Sequence, residues 1–285
     1  MAFTTLVDTA TLALHLSDPS WVIVDCRFAL DDETWGRREH AARHIPGAAY
    51  AHLAHDLSGE PSGRNGRHPL PAPEVLARTL GRLGIGNGVQ VAAYDQDAGM
   101  YASRLWWLLR WMGHDSVAVL DGGFTKWTAE QRPTSTSSVK DAREPRPFTG
   151  SPRGRMLVDV DEVARAAGRA DTVLLDARAP ERYRGDSEPI DRVAGHIPGA
   201  VNRFFMENLG EHGTFRSPGA LRDRFASAIG AVPADQVVCY CGSGVTACHN
   251  LLALERAGIH GARLYAGSWS EWSSEPSRPV ERSIR

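Results

Sequence analysis

Val237 to Gly258, VVCYCGSGVTACHNLLALERAG, is the stretch on which the fold turns. Val237 to Tyr240 is a short β-branched and aromatic run that reads as a buried strand. Ala247 to Ala257 spaces Leu251, Leu252, Leu254 and Ala257 as a helix does, and Gly258 stops it. Cys241 falls at the turn between them. In a strand, loop, helix unit that residue lies at the foot of a pocket, faced by backbone N–H groups and by the positive end of the helix. Gly242 and Gly244 let the loop curl so that several amides aim at one point, and Ser243 and Thr246 add hydroxyl donors. Such a setting favours a thiolate over a thiol. The plain alternative is a small buried hydrophobe, as most free cysteines are. Two glycines and two hydroxyls crowded around Cys241 weigh against it.

Working outward, the chain repeats itself. Val22-Ile23-Val24-Asp25-Cys26-Arg27 returns as Val173-Leu174-Leu175-Asp176-Ala177-Arg178, and His44-Ile45-Pro46-Gly47-Ala48 returns as His196-Ile197-Pro198-Gly199-Ala200. Val91 to Asp95 answers Val238 to Cys241, with Asp95 in the place of the cysteine, and Asp121 to Trp127 answers Ala266 to Trp272. Four matches in one order at nearly one offset predict a duplicated domain. Each copy alternates short strands with helices, so the expected class is α/β, two tandem domains each built on a mainly parallel central sheet flanked by helices.

The first domain, without the cysteine, is expected over 1–132, with strands at Val22 to Asp25, Val89 to Tyr94 and Val117 to Leu120 and helices at Pro73 to Leu83 and Ser103 to Met112. The tryptophans of that second helix read as core or domain-interface material. Residues 133–155, rich in Pro, Ser and Thr, read as a linker. The catalytic domain is expected over 156–285, with helices at Asp161 to Ala167 and Pro218 to Ile229 and a strand at Val173 to Asp176. Parallel sheets bind ligands beyond the carboxyl ends of their strands. Asp176, Arg178, Cys241 and the long loop from Arg182 to Asn202 should therefore open to one side.

With 285 residues, 42% hydrophobic and 23% charged, the chain has the make-up of an ordinary soluble protein of two domains. Its 32 basic and 34 acidic residues leave a net charge of -2, which gives no reason to expect nucleic acid or an anionic membrane as partner. No apolar run approaches a membrane span. No Lys or Arg precedes Arg27, against the pattern of a secretory or transit signal, and the expected location is cytoplasmic. The four cysteines, Cys26, Cys239, Cys241 and Cys248, are too few for a disulfide scaffold, and Cys239-Tyr240-Cys241 is neither a redox nor a zinc motif. Cys239 reads as core and Cys248 as helix packing.

The tandem repeat, the Asp-x-Arg pairs, the His-Ile-Pro-Gly-Ala copies and the loop Cys241-Gly242-Ser243-Gly244-Val245-Thr246-Ala247 together resemble the rhodanese superfamily of sulfurtransferases over nearly the whole chain. The loop is similar to that of the mercaptopyruvate branch, whereas the thiosulfate:cyanide branch carries basic residues at the second and third loop positions. The resemblance implies that Cys241 takes sulfur from 3-mercaptopyruvate, or in the alternative from thiosulfate, as a persulfide. It then passes the sulfur to thioredoxin, a small thiol or cyanide, with no metal and no organic cofactor required. Gly242, Ser243, Gly244, Val245 and Thr246 would frame the persulfide. Arg182 would hold the donor's carboxylate, and Arg192, at a different spacing from the family's second arginine, is a further candidate. Ser243 and His68 match two members of a proposed relay whose aspartate position falls on Ala54, with Asp56 two residues on. Arg184 reads as a solvated surface charge, and His44 and His196, present in both copies, as structural. A cysteine phosphatase would need Cys-x5-Arg, and Ala247 stands where that arginine would be. The remaining rival is a non-catalytic module that binds sulfur or docks a partner.

Overall fold

Apolar runs without alternation, such as Val22-Ile23-Val24 and Val237-Val238-Cys239-Tyr240, suit strands covered on both faces. Both runs are buried at every position, in the middle of parallel sheets. The computed structural model describes residues 2–96, 98–136 and 144–283. Strands β1 (Leu6–Val7), β2 (Trp21–Asp25), β3 (Ala49–Tyr50), β4 (Gln90–Tyr94) and β5 (Val117–Leu120) form one five-stranded sheet in the order β1-β5-β4-β2-β3. Strands β6 (Leu157–Val158), β7 (Val173–Asp176), β8 (Val201–Asn202), β9 (Val237–Tyr240) and β10 (Arg263–Tyr265) form another in the order β6-β10-β9-β7-β8. Neighbouring strands within each sheet run parallel, and the registers correspond: Asp25 lies beside Tyr94 as Asp176 lies beside Tyr240.

The chain divides into two units. Unit 1 comprises Met1–Gly59, Pro71–Arg153 and Gly210–Phe215, and unit 2 comprises Glu60–Leu70, Gly154–Leu209 and Arg216–Arg285. The segment Glu60–Leu70 thus joins unit 2 although it stands in the first half of the sequence. Bonds that hold it there include Arg67 N–H to Ser270 Oγ at 3.1 Å, His68 Nδ1 with Ser243 Oγ at 2.8 Å, and the ion pair of Arg67 with Asp191. Of the expected linker, residues 137–143 lie outside the described residues. The part from 144 to 153 returns to unit 1, where Arg146 N–H donates to Gly81 O and Arg153 N–H to Trp111 O.

The central strands and the helices Pro73–Arg82, Ala102–Trp111, Val160–Ala166, Pro218–Ile229 and Thr246–Arg256 lie within a residue of their expected positions. Trp106, Trp107 and Trp111 are all buried. The outer strands β1, β3, β6 and β8 have two residues each and β10 has three, too few for any periodicity to register. The stretch from Arg182 to Asn202 is not all loop. Its start is the end of a helix, Pro180–Arg184, and its end is β8.

Both sheets are tied at their centre by the same buried polar cluster. In unit 1, Arg27 Nη2 donates to Asp25 Oδ2 at 2.6 Å and to Arg43 O at 2.6 Å, while Tyr94 Oη donates to Asp25 Oδ2 at 2.8 Å. In unit 2, Arg178 Nη2 donates to Asp176 Oδ2 at 2.6 Å and to Gly195 O at 2.7 Å. Each guanidinium lies over an aromatic ring, Arg27 at 4.2 Å from Phe124 and Arg178 at 4.7 Å from Trp269. His44 and His196 are buried, and each forms a backbone bridge to a later segment, with Ser135 and Glu281 respectively. Those bridges give both histidines a place in the framework of their own unit.

Candidate active site

β9 ends at Tyr240, and the next residue, Cys241, begins the loop that enters the helix Thr246–Arg256. Gly244 has φ +77°, a conformation that suits glycine, and its N–H donates to Cys241 Sγ at 3.2 Å. The loop is anchored from below. Cys241 N–H donates to Ser268 Oγ at 3.1 Å, Trp269 N–H to Cys241 O at 3.0 Å, and Ser270 N–H to Gly242 O at 2.9 Å. Cys241 is 2% exposed, yet what surrounds it is polar: an amide at the sulfur and guanidinium groups beside the next residue. Ser243 is engaged with His68, Val245 caps the helix, and Thr246 opens it.

Unit 1 carries the same loop with a carboxylate in place of the cysteine sulfur. Asp95 follows β4, and Phe124 N–H and Thr125 N–H donate to Asp95 O and Gln96 O as Trp269 and Ser270 do to Cys241 and Gly242. The Asp95 carboxylate accepts from Gly99 N–H at 2.9 Å, Tyr101 N–H at 2.8 Å and Ala102 N–H at 3.0 Å. The fold thus aims backbone donors at the acceptor that the residue after the central strand supplies. Asp95→Asn replaces one acceptor by a donor facing those amides, and about 1–3 kcal/mol of stability should be lost in urea unfolding.

The arginines of unit 2 form a network. Arg182 Nη2 donates to Glu188 Oε1 at 2.7 Å and to Asp191 Oδ2 at 3.3 Å, and Arg178 Nη1 donates to Glu188 Oε2 at 3.3 Å. Arg67 pairs with Asp191. Burial pushes the Asp191 carboxyl up against the pull of Arg67, while at Glu188 burial is outweighed by bonds from Arg182 and from backbone N–H groups, which hold that carboxyl down. A Cβ built on Gly242 would meet Arg67 Nη2 at 3.0 Å and both Arg182 Nη atoms at 3.6 Å, so both guanidinium groups stand beside the cysteine loop.

The other candidates fall further out. Arg192 is exposed and lines a cleft of about 480 Å³ together with Pro61, Arg67, Asp191, Ser270 and Pro276. Arg184 pairs with Asp186 at 2.8 Å. Asp56 accepts from His52 N–H at 2.8 Å and pairs with Arg82, and Ala54 has no carboxylate to offer. Burial raises the Cys239 thiol, and Cys248 Sγ donates to Gly244 O at 3.3 Å. Among the described residues no group of three or more His, Cys, Asp and Glu side chains is arranged to hold a metal ion, and no helix is long and apolar enough to cross a membrane. Sequence reasoning missed Arg67 and Ser268. The signal for Arg67 was its place next to His68, which the family resemblance already pairs with Ser243 of the cysteine loop.

Comparison with known proteins adds to this geometry. The profile of the rhodanese-like domain matches twice, at residues 8–130 and 159–275. A probable 3-mercaptopyruvate sulfurtransferase of Pseudomonas aeruginosa is 46% identical over 98% of this chain and 99% of its own. A putative thiosulfate sulfurtransferase of Mycobacterium tuberculosis is 39% identical over 97% of this chain and 96% of its own. The crystal structure of a 3-mercaptopyruvate sulfurtransferase from Escherichia coli superimposes with a TM-score of 0.80 at 30% identity, covering 94% of this chain and 99% of that one.

Proposed function

The chain belongs to the rhodanese-like domain family, and from that premise we propose that it is a 3-mercaptopyruvate sulfurtransferase. The observation that carries the reading is Cys241 Sγ held by the Gly244 amide, with the Arg182 guanidinium beside the adjoining residue. Arg182 takes the donor's carboxylate and directs its thiol at Cys241. The Cys241 thiolate attacks that sulfur, and an S–S bond forms as the C–S bond breaks. The electron pair leaves on the pyruvate enolate, which is then protonated, and the enzyme keeps the transferred sulfur as a persulfide. The Gly244 N–H, already aimed at the site, stabilises negative charge on the sulfur without reorganising. Ser243 and His68, hydrogen-bonded to each other, position the donor, and Arg192 guides anions in from the cleft it lines. Thioredoxin, a small thiol or cyanide removes the sulfur, and the proposed setting is the cytoplasm.

The test is mass spectrometry of the intact protein after incubation with mercaptopyruvate. The expected result is the mass of one added sulfur, mapped to Cys241 and lost on addition of a thiol. A protein that releases no pyruvate and gains no sulfur would overturn the reading.

A further inference from the structure

Position 242 is glycine, yet the space its side chain would fill is not neutral. A Cβ there lies nearer Arg67 Nη2, at 3.0 Å, than either Nη atom of Arg182, at 3.6 Å. A guanidinium from elsewhere in the sequence therefore stands beside the residue that follows the nucleophile. It is held at both ends. Arg67 N–H donates to Ser270 Oγ at 3.1 Å and Ser270 N–H donates to Gly242 O at 2.9 Å, which ties the arginine's backbone to the cysteine loop. At the tip, Asp191 pairs with Arg67 Nη1 and accepts from Arg182 Nη2 at 3.3 Å, so one carboxylate fixes two guanidinium groups. The Arg67 side chain is 32% exposed and Asp191 7%, which leaves the cation, not its counter-charge, open to an incoming solute. Cations fixed in advance bind an anion with little ordering cost.

We propose that Arg67 is a second donor-recognition cation of the Cys241 loop, acting beside Arg182. It supplies from outside the loop the charge that a basic residue at the loop's second position would supply from within. It thereby fits the site to two anionic sulfur donors, the carboxylate of mercaptopyruvate and the sulfonyl end of thiosulfate. With thiosulfate the Cys241 thiolate attacks the outer sulfur, the S–S bond of the donor breaks, and sulfite leaves with the electron pair. A persulfide anion remains, and charge balances on both sides. The inference rests on the sulfur-transfer reading above.

The test compares wild type, Arg67→Met and Arg67→Lys with three donors: mercaptopyruvate, thiosulfate, and mercaptoacetone, an uncharged thiol ketone that can lose its sulfur in the same way. In Arg67→Met, kcat/KM should fall about 10- to 100-fold for both anions, while mercaptoacetone stays within about twofold. The lysine variant should recover part of the loss, since it keeps the charge and gives up the planar fork. Melting temperatures should agree among the three proteins. Equal loss with all three donors would make Arg67 structural and overturn the proposal, as would unchanged kinetics with the anions. A wild-type protein that gains no sulfur from any donor would sink the sulfur-transfer reading itself, and this proposal with it.

Discussion

Replacing Cys241 with serine is expected to abolish pyruvate release from mercaptopyruvate while leaving the fold intact. Serine is nearly isosteric, and its oxygen accepts the Gly244 N–H that Sγ now takes at 3.2 Å, so no buried donor is orphaned. The chemistry has no such substitute. A hydroxyl is not ionised near neutral pH and forms no persulfide, and deleting the nucleophile of a covalent mechanism costs on the order of a million-fold in the best-measured case. Cys239→Ala and Cys248→Ala serve as controls. Both thiols are buried, one inside β9 and one on the helix behind the loop, and both variants should still gain one sulfur on Cys241. Pyruvate release by the serine variant within tenfold of wild type would sink the mechanism and leave the non-catalytic reading in its place. Phosphatase chemistry gains nothing from the structure, because Ala247 is fully buried where a phosphate-binding arginine would have to stand.

Much of this was written in the chain. The β2, β4, β7 and β9 strands each contain an unbroken apolar run, and a sheet covered on both faces leaves such runs few other places to go. The equivalence of Asp95 and Cys241 came from aligning the copies, and the matching backbone bonds from Phe124 and Trp269 bear it out. What could not be read is long-range. Arg67 lies far in sequence from Gly242, and the bond from Arg67 to Ser270 that joins them spans 203 positions. Glycine at 242 suggested a loop without positive charge; the resemblance set His68 against Ser243, but that its neighbour Arg67 turns a guanidinium toward Gly242 only the folded chain reveals. Ser268, held at φ +54° with its hydroxyl under Cys241, is a case of the same kind, since no spacing rule marks a serine that supports a backbone N–H.

Removing Asp25 should destabilise unit 1 by about 3–5 kcal/mol at neutral pH, the usual cost of stripping one partner from a buried ion pair. Asp25 is fully buried and accepts from Arg27 Nε at 3.0 Å, Arg27 Nη2 at 2.6 Å and Tyr94 Oη at 2.8 Å, with His40 Nδ1 at 3.0 Å. In Asp25→Ala the Arg27 charge stays buried without its carboxylate and keeps Arg43 O and the rings of Phe124 and Tyr94 to face. The acid dependence has a definite sign. Burial works to raise the Asp25 carboxyl, but hydrogen bonds from His40 and Arg27 outweigh it and hold the group below its ordinary 3.8. A carboxyl lowered on folding contributes stability above its unfolded value and loses it as pH falls through the folded one. The gap between wild type and Asp25→Ala in urea unfolding should therefore shrink as pH falls below about 4. The double variant Asp25→Leu, Arg27→Met, which removes both charges, should recover most of the loss. A gap under about 1 kcal/mol, the worth of an exposed pair, would mean that the cluster at the centre of the sheet contributes no more than a surface contact.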